Sequence, residues 1–218
     1  MIISTGRNYI FVHIPKTGGT SLSLALEARA MKDDILLGDT PKALRRRPRA
    51  KALADQARGR LWKHATLADM EGVVAGDILD QMFVFTLVRN PWDRAVSYYH
   101  WLREQSFEHP AVTLAKALEF KPFLLHPDTQ AGFRQMPASA YVRRSDGREQ
   151  CQAFVRMEHL AQDLKPVEAH LGFSLDIPHI NRSRRGEDYR VYFDDETAQA
   201  IQDMCAPDIQ RFGYAFDG

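Results

Sequence analysis

Two stretches of the chain are apolar almost without interruption, YIFVHI at 9–14 and MFVFTLV at 82–88. Both are rich in aromatic and β-branched residues and neither alternates, so they predict strands covered on both faces, as in a parallel sheet between helices. Shorter strand candidates are RLWKHA at 60–65 and CQAFVRM at 151–157. Each candidate is followed by a segment of helical character, at 20–31, 66–71, 91–102 and 159–171. Strand, short loop and helix in repetition is the order of a doubly wound α/β fold. Residues 110–135 read as helix broken by Pro122 and Pro127, and 195–205 as a further helix ahead of Pro207.

The polar residues of interest lie where the strands end. HIPKTGGTSL follows the first apolar run and places Lys16, Thr17, Gly18, Gly19, Thr20 and Ser21 between a strand and a helix. A strand that ends in a glycine turn and opens a helix presents backbone N–H groups and the positive end of the helix dipole to an anion. Gly18 and Gly19 permit close backbone approach, the hydroxyls add donors and Lys16 adds a charge. The triphosphate-binding loop G-x-x-x-x-G-K-[ST] has its lysine after the second glycine. Here the lysine precedes both glycines and the loop is shorter, which suits a smaller anionic group.

In LVRNPWDRAVSYYHWL, Asn90 is an N-cap, Pro91 suits the first helical position and Asp93 has capping-box spacing. Helical spacing makes Trp92, Ala95, Val96, Tyr99 and Leu102 the core stripe, with Ser97 off it beside Arg94 and Trp101. Arg89, just ahead of the helix, either grips a phosphate together with Ser97 or pairs with a carboxylate of the fold, and spacing alone does not separate these. In WKHATLADM, Thr66 and Asp69 again have capping-box spacing, which puts Lys63 and His64 at a third strand end. In open α/β sheets ligands bind outside the carboxyl ends of the strands, so these three clusters are the candidate site. His64 is there either as a structural residue or as a proton-transfer group.

A length of 218 residues suits one α/β domain, 1–218, with a buried core. With 29 Lys+Arg against 28 Asp+Glu, no global field calls for nucleic acid or a membrane surface. Cys151 and Cys205 make neither a disulfide framework nor a four-thiolate metal site, and free thiols suit a reducing compartment. No apolar run approaches the ~18 residues of a membrane span and the N-terminal stretch lacks a basic leader region, so a soluble, cytoplasmic protein without a transmembrane segment is expected. One departure from even charge is PKALRRRPRAKALADQARGR at 41–60, rich in arginine and poor in large apolar residues. It reads as a solvated, partly mobile insertion, or as a lip that attracts an acidic acceptor.

HIPKTGGTS, then KHAT, then VRNPWDRAVSYY, together with FVRMEHL at 154–160, IPHINRS at 177–183 and DIQRFGY at 208–214, resemble the sulfotransferase family. The likeness is to its bacterial branch, similar to Golgi carbohydrate sulfotransferases such as heparan sulfate 2-O-sulfotransferase, and it covers nearly the whole chain. It implies a P-loop-like three-layer α/β fold with a central, mostly parallel sheet flanked by helices. It implies a donor, 3′-phosphoadenosine 5′-phosphosulfate (PAPS), with 3′-phosphoadenosine 5′-phosphate (PAP) as product and no metal. By the same resemblance Lys16, Thr17, Gly18, Gly19, Thr20 and Ser21 hold the 5′-phosphosulfate, Arg89 and Ser97 the 3′-phosphate, and Asn181 and Ser183 lie in a loop over the nucleotide. His64 and Lys16 are the implied catalytic residues, the base and the stabiliser of the leaving oxygens. His13 is second choice as base, since it ends an apolar strand where packing alone accounts for it. The implied acceptor is a hydroxyl of a carbohydrate or glycolipid. The rivals are a nucleotide-dependent kinase, disfavoured by the displaced lysine and by the lack of a clear Mg²⁺-binding acid after a strand, and a non-catalytic nucleotide-binding protein.

Overall fold

A computed structural model describes residues 1–178 and 188–217. Among these the chain runs β1 (Ile2–Ser4), β2 (Tyr9–Val12), α1 (Gly19–Ala28), β3 (Ile35–Leu36), α2 (Pro41–Ala52), α3 (Gly76–Gln81), β4 (Phe83–Val88), α4 (Pro91–Arg103), α5 (Pro110–Ala117), α6 (Phe120–Leu125), α7 (Pro127–Gln135), α8 (Ala138–Tyr141), β5 (Ala153–Arg156), α9 (Leu160–Asp163), α10 (Lys165–Leu171), α11 (Asp195–Met204) and α12 (Ala206–Phe212). The chain divides into two compact units, Met1–Val88 with Ala138–Ile180, and Arg89–Pro137 with Asn181–Gly218.

The first unit holds the sheet, in the order β3-β1-β2-β4-β5. β2, β4 and β5 are parallel, as the unbroken apolar runs of β2 and β4 lead one to expect, while β1 pairs antiparallel with β2 and β3 antiparallel with β1, so the sheet is mixed, with β1 the strand that runs against the other four. Tyr9, Phe11, Phe85, Leu87 and Val155 share one core with Leu22 and Leu26 of α1 and Val167 and Leu171 of α10. The parallel register pairs Phe11 with Phe85, whose rings lie 5.4 Å apart, and Val12 with Thr86. The Thr86 hydroxyl donates to the Val12 carbonyl (2.7 Å), fastening the last residue of β2 where the anion-loop candidate departs.

Three predicted elements of this unit are corrected. RLWKHA at 60–65 forms no strand: the chain turns there, with the Ala65 N–H on the Trp62 carbonyl. Residues 66–71 form turns and no helix. Thr66 and Asp69 do hydrogen-bond each other reciprocally, but the carbonyls of Asp69 and Glu71 accept from Gly59 and Arg58, and the Leu67 N–H donates to Tyr141. Backbone groups spent outside the segment are not available for an i→i−4 ladder. The helix expected at 159–171 is split into α9 and α10, because Pro166 lacks an N–H and crowds the carbonyl four residues back.

The arginine-rich stretch at 41–60 is largely ordered as α2. Thr40 caps it by accepting from the Ala43 N–H, and the same hydroxyl donates to the buried Glu27 carboxylate (2.8 and 2.7 Å). Lys42, Arg46 and Arg49, one row of the helix, donate to the carbonyls of Glu27, Met31 and Lys32 respectively. These carbonyls end α1 and the turn after it, and α1 has no basic residue in its own last turn, so α2 supplies the cations that a helix C-terminus favours. Arg45, Arg47 and Lys51 are exposed.

The described part of the second unit is helical: α4 to α7, α11 and α12. The predicted stripe Trp92, Ala95, Val96, Tyr99 and Leu102 is buried there, in one core with Phe123, Ile201 and Ile209. Asn90 caps α4 through the N–H groups of Trp92 and Asp93, and Asp194 with Thr197 forms a capping box on α11. The broken helix expected at 110–135 is α5, α6 and α7: the break expected at Pro127 is there, with Pro127 opening α7, but the other falls at Leu118, while Pro122 sits inside the first turn of α6, where its missing N–H costs no bond. Among the described residues no helix is long and apolar enough to cross a membrane.

Candidate functional site

Between the end of β2 and the start of α1 the backbone takes two left-handed residues, Lys16 (φ 66°) and Gly18 (φ 83°). The second suits a glycine, and the first is uncommon for a side-chain-bearing residue. The Thr17 side chain is buried and its hydroxyl donates to the Ile14 carbonyl (2.8 Å), so it shapes the loop from inside. Gly18 is the N-cap of α1 and offers no side-chain cap; the Ser21 N–H turns back to the Gly18 carbonyl (3.1 Å). The first turn of α1 carries no acidic residue, and Gly18 and Thr20 are exposed. An uncapped, acid-free helix start reached through a tight glycine loop is a place where backbone donors and the helix dipole favour an anion. Met157, directly after β5, lies alongside, its sulfur 3.3 Å from where a methyl on Gly18 would stand.

Beneath this loop lies His13. Its ring is buried, stacked on Phe11 (centroids 5.8 Å, 22°) and set under Gly19 so closely that a methyl group on Gly19 would lie 2.2 Å from Cδ2 and 2.4 Å from Nε2. Glycine at 19 is therefore required by the imidazole below it. Burial first, with the N-terminal ammonium, His64, Lys63 and Lys16 adding, holds the His13 imidazole well below its ordinary pKa.

His64 joins the same cluster. Its Nδ1 is 2.8 Å from the His13 carbonyl, its ring meets the His13 ring edge-on at 4.7 Å, and Trp62, 42% exposed, meets it at 5.1 Å on another side. A carbonyl oxygen only accepts, so Nδ1 carries the proton and the lone pair is on Nε2. Burial holds the His64 pKa down to about 4, against the opposing pull of the His13 carbonyl. At neutral pH this is a neutral imidazole of defined tautomer, the form a proton acceptor needs. Its neighbour Lys63 is tied to Asp39 (2.5 Å), just ahead of α2.

Arg89 and Ser97 belong to the second unit. The Arg89 guanidinium is bound by the Asp93 carboxylate, with Nε 2.7 Å from Oδ2 and Nη2 on the same oxygen, both side chains mostly buried. The carboxylate partner that spacing left open is thus present one turn away, and it fixes the guanidinium's orientation. Ser97 was expected off the core stripe, yet it is 7% exposed, because α4 is covered on more than one side. Asn181 and Ser183 lie outside the described residues. So the structure brings Lys16, Thr17, Gly18, Gly19, Thr20 and Ser21 together with His64 in the first unit, while in the second Arg89 stands just ahead of α4 and Ser97 about two turns into it. The position of His13 under Gly19 was not legible in the sequence, where a histidine ending an apolar run carries no sign of what it supports. Among the described residues no group of three or more His, Cys, Asp and Glu side chains is arranged to hold a metal ion.

Comparison with solved structures finds mouse sulfotransferase SULT7A1 complexed with PAP, at 17% identity and a TM-score of 0.44, covering 94% of this chain and 84% of that one. Comparison with curated protein sequences gives no match. The sequence profile of the sulfotransferase family matches residues 1–215, which takes in both units, the loop at 16–21, His64 and the start of α4; the chain belongs to the sulfotransferase family.

Proposed function

We propose that the protein transfers a sulfuryl group from PAPS to a hydroxyl of a carbohydrate or glycolipid, releasing PAP. The observation that carries this reading is the junction of β2 and α1, where an uncapped helix start and Lys16 sit over a cluster that holds His64 neutral with its lone pair on Nε2. In the reaction, Nε2 takes the proton of the acceptor hydroxyl as its oxygen attacks sulfur, and the bond from sulfur to the 5′-phosphate oxygen breaks with its electron pair staying on the phosphate. Lys16 and the N–H groups of Gly18, Gly19 and Thr20 compensate the charge that grows on the leaving oxygens, the term that outweighs the others in transfers of this kind; Ser21, whose N–H turns back to the Gly18 carbonyl, is assigned to the same group through its hydroxyl. Thr17 serves through its backbone, since its hydroxyl is occupied. Arg89, oriented by Asp93, and Ser97 are assigned to the 3′-phosphate, and Asn181 and Ser183 to the loop over the nucleotide. One family profile spanning both units supports treating 1–218 as a single sulfotransferase domain. Both cysteines are free thiols, which fits a reducing, cytoplasmic setting.

The test compares thermal stabilisation by PAP with that by ATP and Mg²⁺, since a ligand of the native state raises apparent stability by mass action. PAP should stabilise and ATP should not. Preference for ATP overturns the donor assignment in favour of a kinase. Stabilisation by PAP with no labelled sulfate transferred from PAPS to any of a panel of glycans and glycolipids overturns the enzymatic assignment in favour of a non-catalytic nucleotide-binding protein.

A further inference from the structure

We propose that His13 is a positioning residue that couples the anion loop to the catalytic base: its ring is the floor on which Gly19 rests, and its carbonyl holds Nδ1 of His64, so displacement of one side is felt at the other. The inference rests on the assignment of the loop and of His64 made above, and goes beyond it in giving a role to a residue buried beneath the loop.

Three observations converge on this residue. The His13 ring edge fills the space next to the Gly19 Cα so fully that no side chain fits there. The same ring is wedged between Phe11 and His64, at 5.8 and 4.7 Å, and is buried. The backbone carbonyl of the same residue is the hydrogen-bond partner of His64 Nδ1 at 2.8 Å. A close-packed interior transmits displacement and does not absorb it. If the backbone at Gly19 moves down, the His13 ring must move, and the ring cannot move without disturbing the His64 ring at its edge or the peptide that carries the carbonyl. The charged groups that act on His13 are the N-terminal ammonium, Lys63 and Lys16, with His64 beside them; those that act on His64 are Lys63, the N-terminal ammonium and Asp39, whose carboxylate is paired with Lys63. The chemistry expected of the coupling is that His64 keeps its proton on Nδ1, and so its lone pair on Nε2, only while the loop sits in the conformation that receives the donor.

A double-mutant cycle with Gly19→Ala and His13→Ala tests this, read by PAP titration and by the imidazole ¹⁵N signals of His64 in the protein without ligand. Gly19→Ala should weaken PAP binding by about tenfold, the usual size of an overpacking penalty, and should shift the His64 signals away from the pure Nδ1–H pattern. Removing the ring makes room for the methyl, so the double variant should bind PAP as well as His13→Ala alone. His13→Ala by itself should also raise the His64 titration midpoint, since the ring that excludes water from its edge is gone. Should Gly19→Ala fail to fold, the His13→Ala titration and the double variant still decide. Losses that simply add in the double variant, or His64 signals identical in all four proteins, overturn the coupling. Absence of PAP binding to the parent would refute the donor assignment alone, because the ¹⁵N signals test the coupling without any nucleotide.

Discussion

Acidification should destabilise this fold through His64 far more than through an exposed histidine. Burial lowers its pKa from 6.5 to about 4 in the folded chain, so between these values the unfolded chain binds a proton that the folded chain refuses. Stability from this group is therefore complete above pH 6.5 and is lost as the pH falls towards 4, the sign expected where the unfolded state binds more protons. At pH 4.5 the difference in proton binding amounts to about 2.5 kcal/mol for His64 alone, a large share of the ~5–15 kcal/mol that holds a domain folded. His13 is displaced in the same direction and adds to the loss. Carboxylates also titrate in this range, but they do so equally in a variant, and His64→Gln offers an amide N–H to the His13 carbonyl without a titrating ring. Urea unfolding of parent and His64→Gln at pH 7 and pH 4.5, followed by circular dichroism, isolates the term. The parent should lose about 2.5 kcal/mol more than the variant between the two pH values. Equal losses would refute the assignment of His64 as a buried neutral imidazole, and with it the supply of a lone pair on Nε2 at neutral pH.

Other perturbations separate binding from turnover. His64→Ala should bind PAP within about twofold of the parent while transfer from PAPS falls by about 10²–10⁴, the usual contribution of a positioned base; transfer at the parental rate would exclude His64. Arg89→Ala should weaken PAP binding by about tenfold or more, as loss of a charge-assisted contact does, and Arg89→Lys should not restore it because an ammonium cannot engage Asp93 and a phosphate with a planar fork; isothermal titration reads both. Thr40→Ala removes the cap of α2 and the hydroxyl donor to the buried Glu27 carboxylate, and should cost about 2 kcal/mol in chemical unfolding. An unchanged unfolding midpoint would show that α2 is anchored by its cations alone.

What could be read from the chain follows the strength of its periodicity. β2 and β4 announced themselves as dense apolar runs because they are buried along nearly their whole length, α4 as a stripe flanked by the Asn-Pro start signal, and β5, buried at alternate positions, as a weaker candidate. β1 and β3 are three and two residues long, too short for any pattern to register, and it is their antiparallel pairing that makes the sheet mixed. Thr66 and Asp69 were a true local signal attached to the wrong element: the side chains pair as a capping box would, but long-range backbone partners at Arg58, Gly59 and Tyr141 outcompete a helix. For Arg89, spacing offered a phosphate or a carboxylate, and the structure supplies the carboxylate, Asp93 one turn on. The glycine turn between β2 and α1, the candidate anion loop, was legible as composition, whereas the histidine beneath it needed three dimensions, since nothing in HIPKTGG says that the first residue lies under the last.

Helix α2 gives one row of its cations, Lys42, Arg46 and Arg49, to carbonyls at the end of α1 and beyond, and leaves Arg45, Arg47 and Lys51 facing solvent. Folding and surface potential are thereby separated on a single element. Reversing charge on the outward row would recolour that face of the protein, and alter how ionic strength governs what approaches it, with every fastening of the helix still in place.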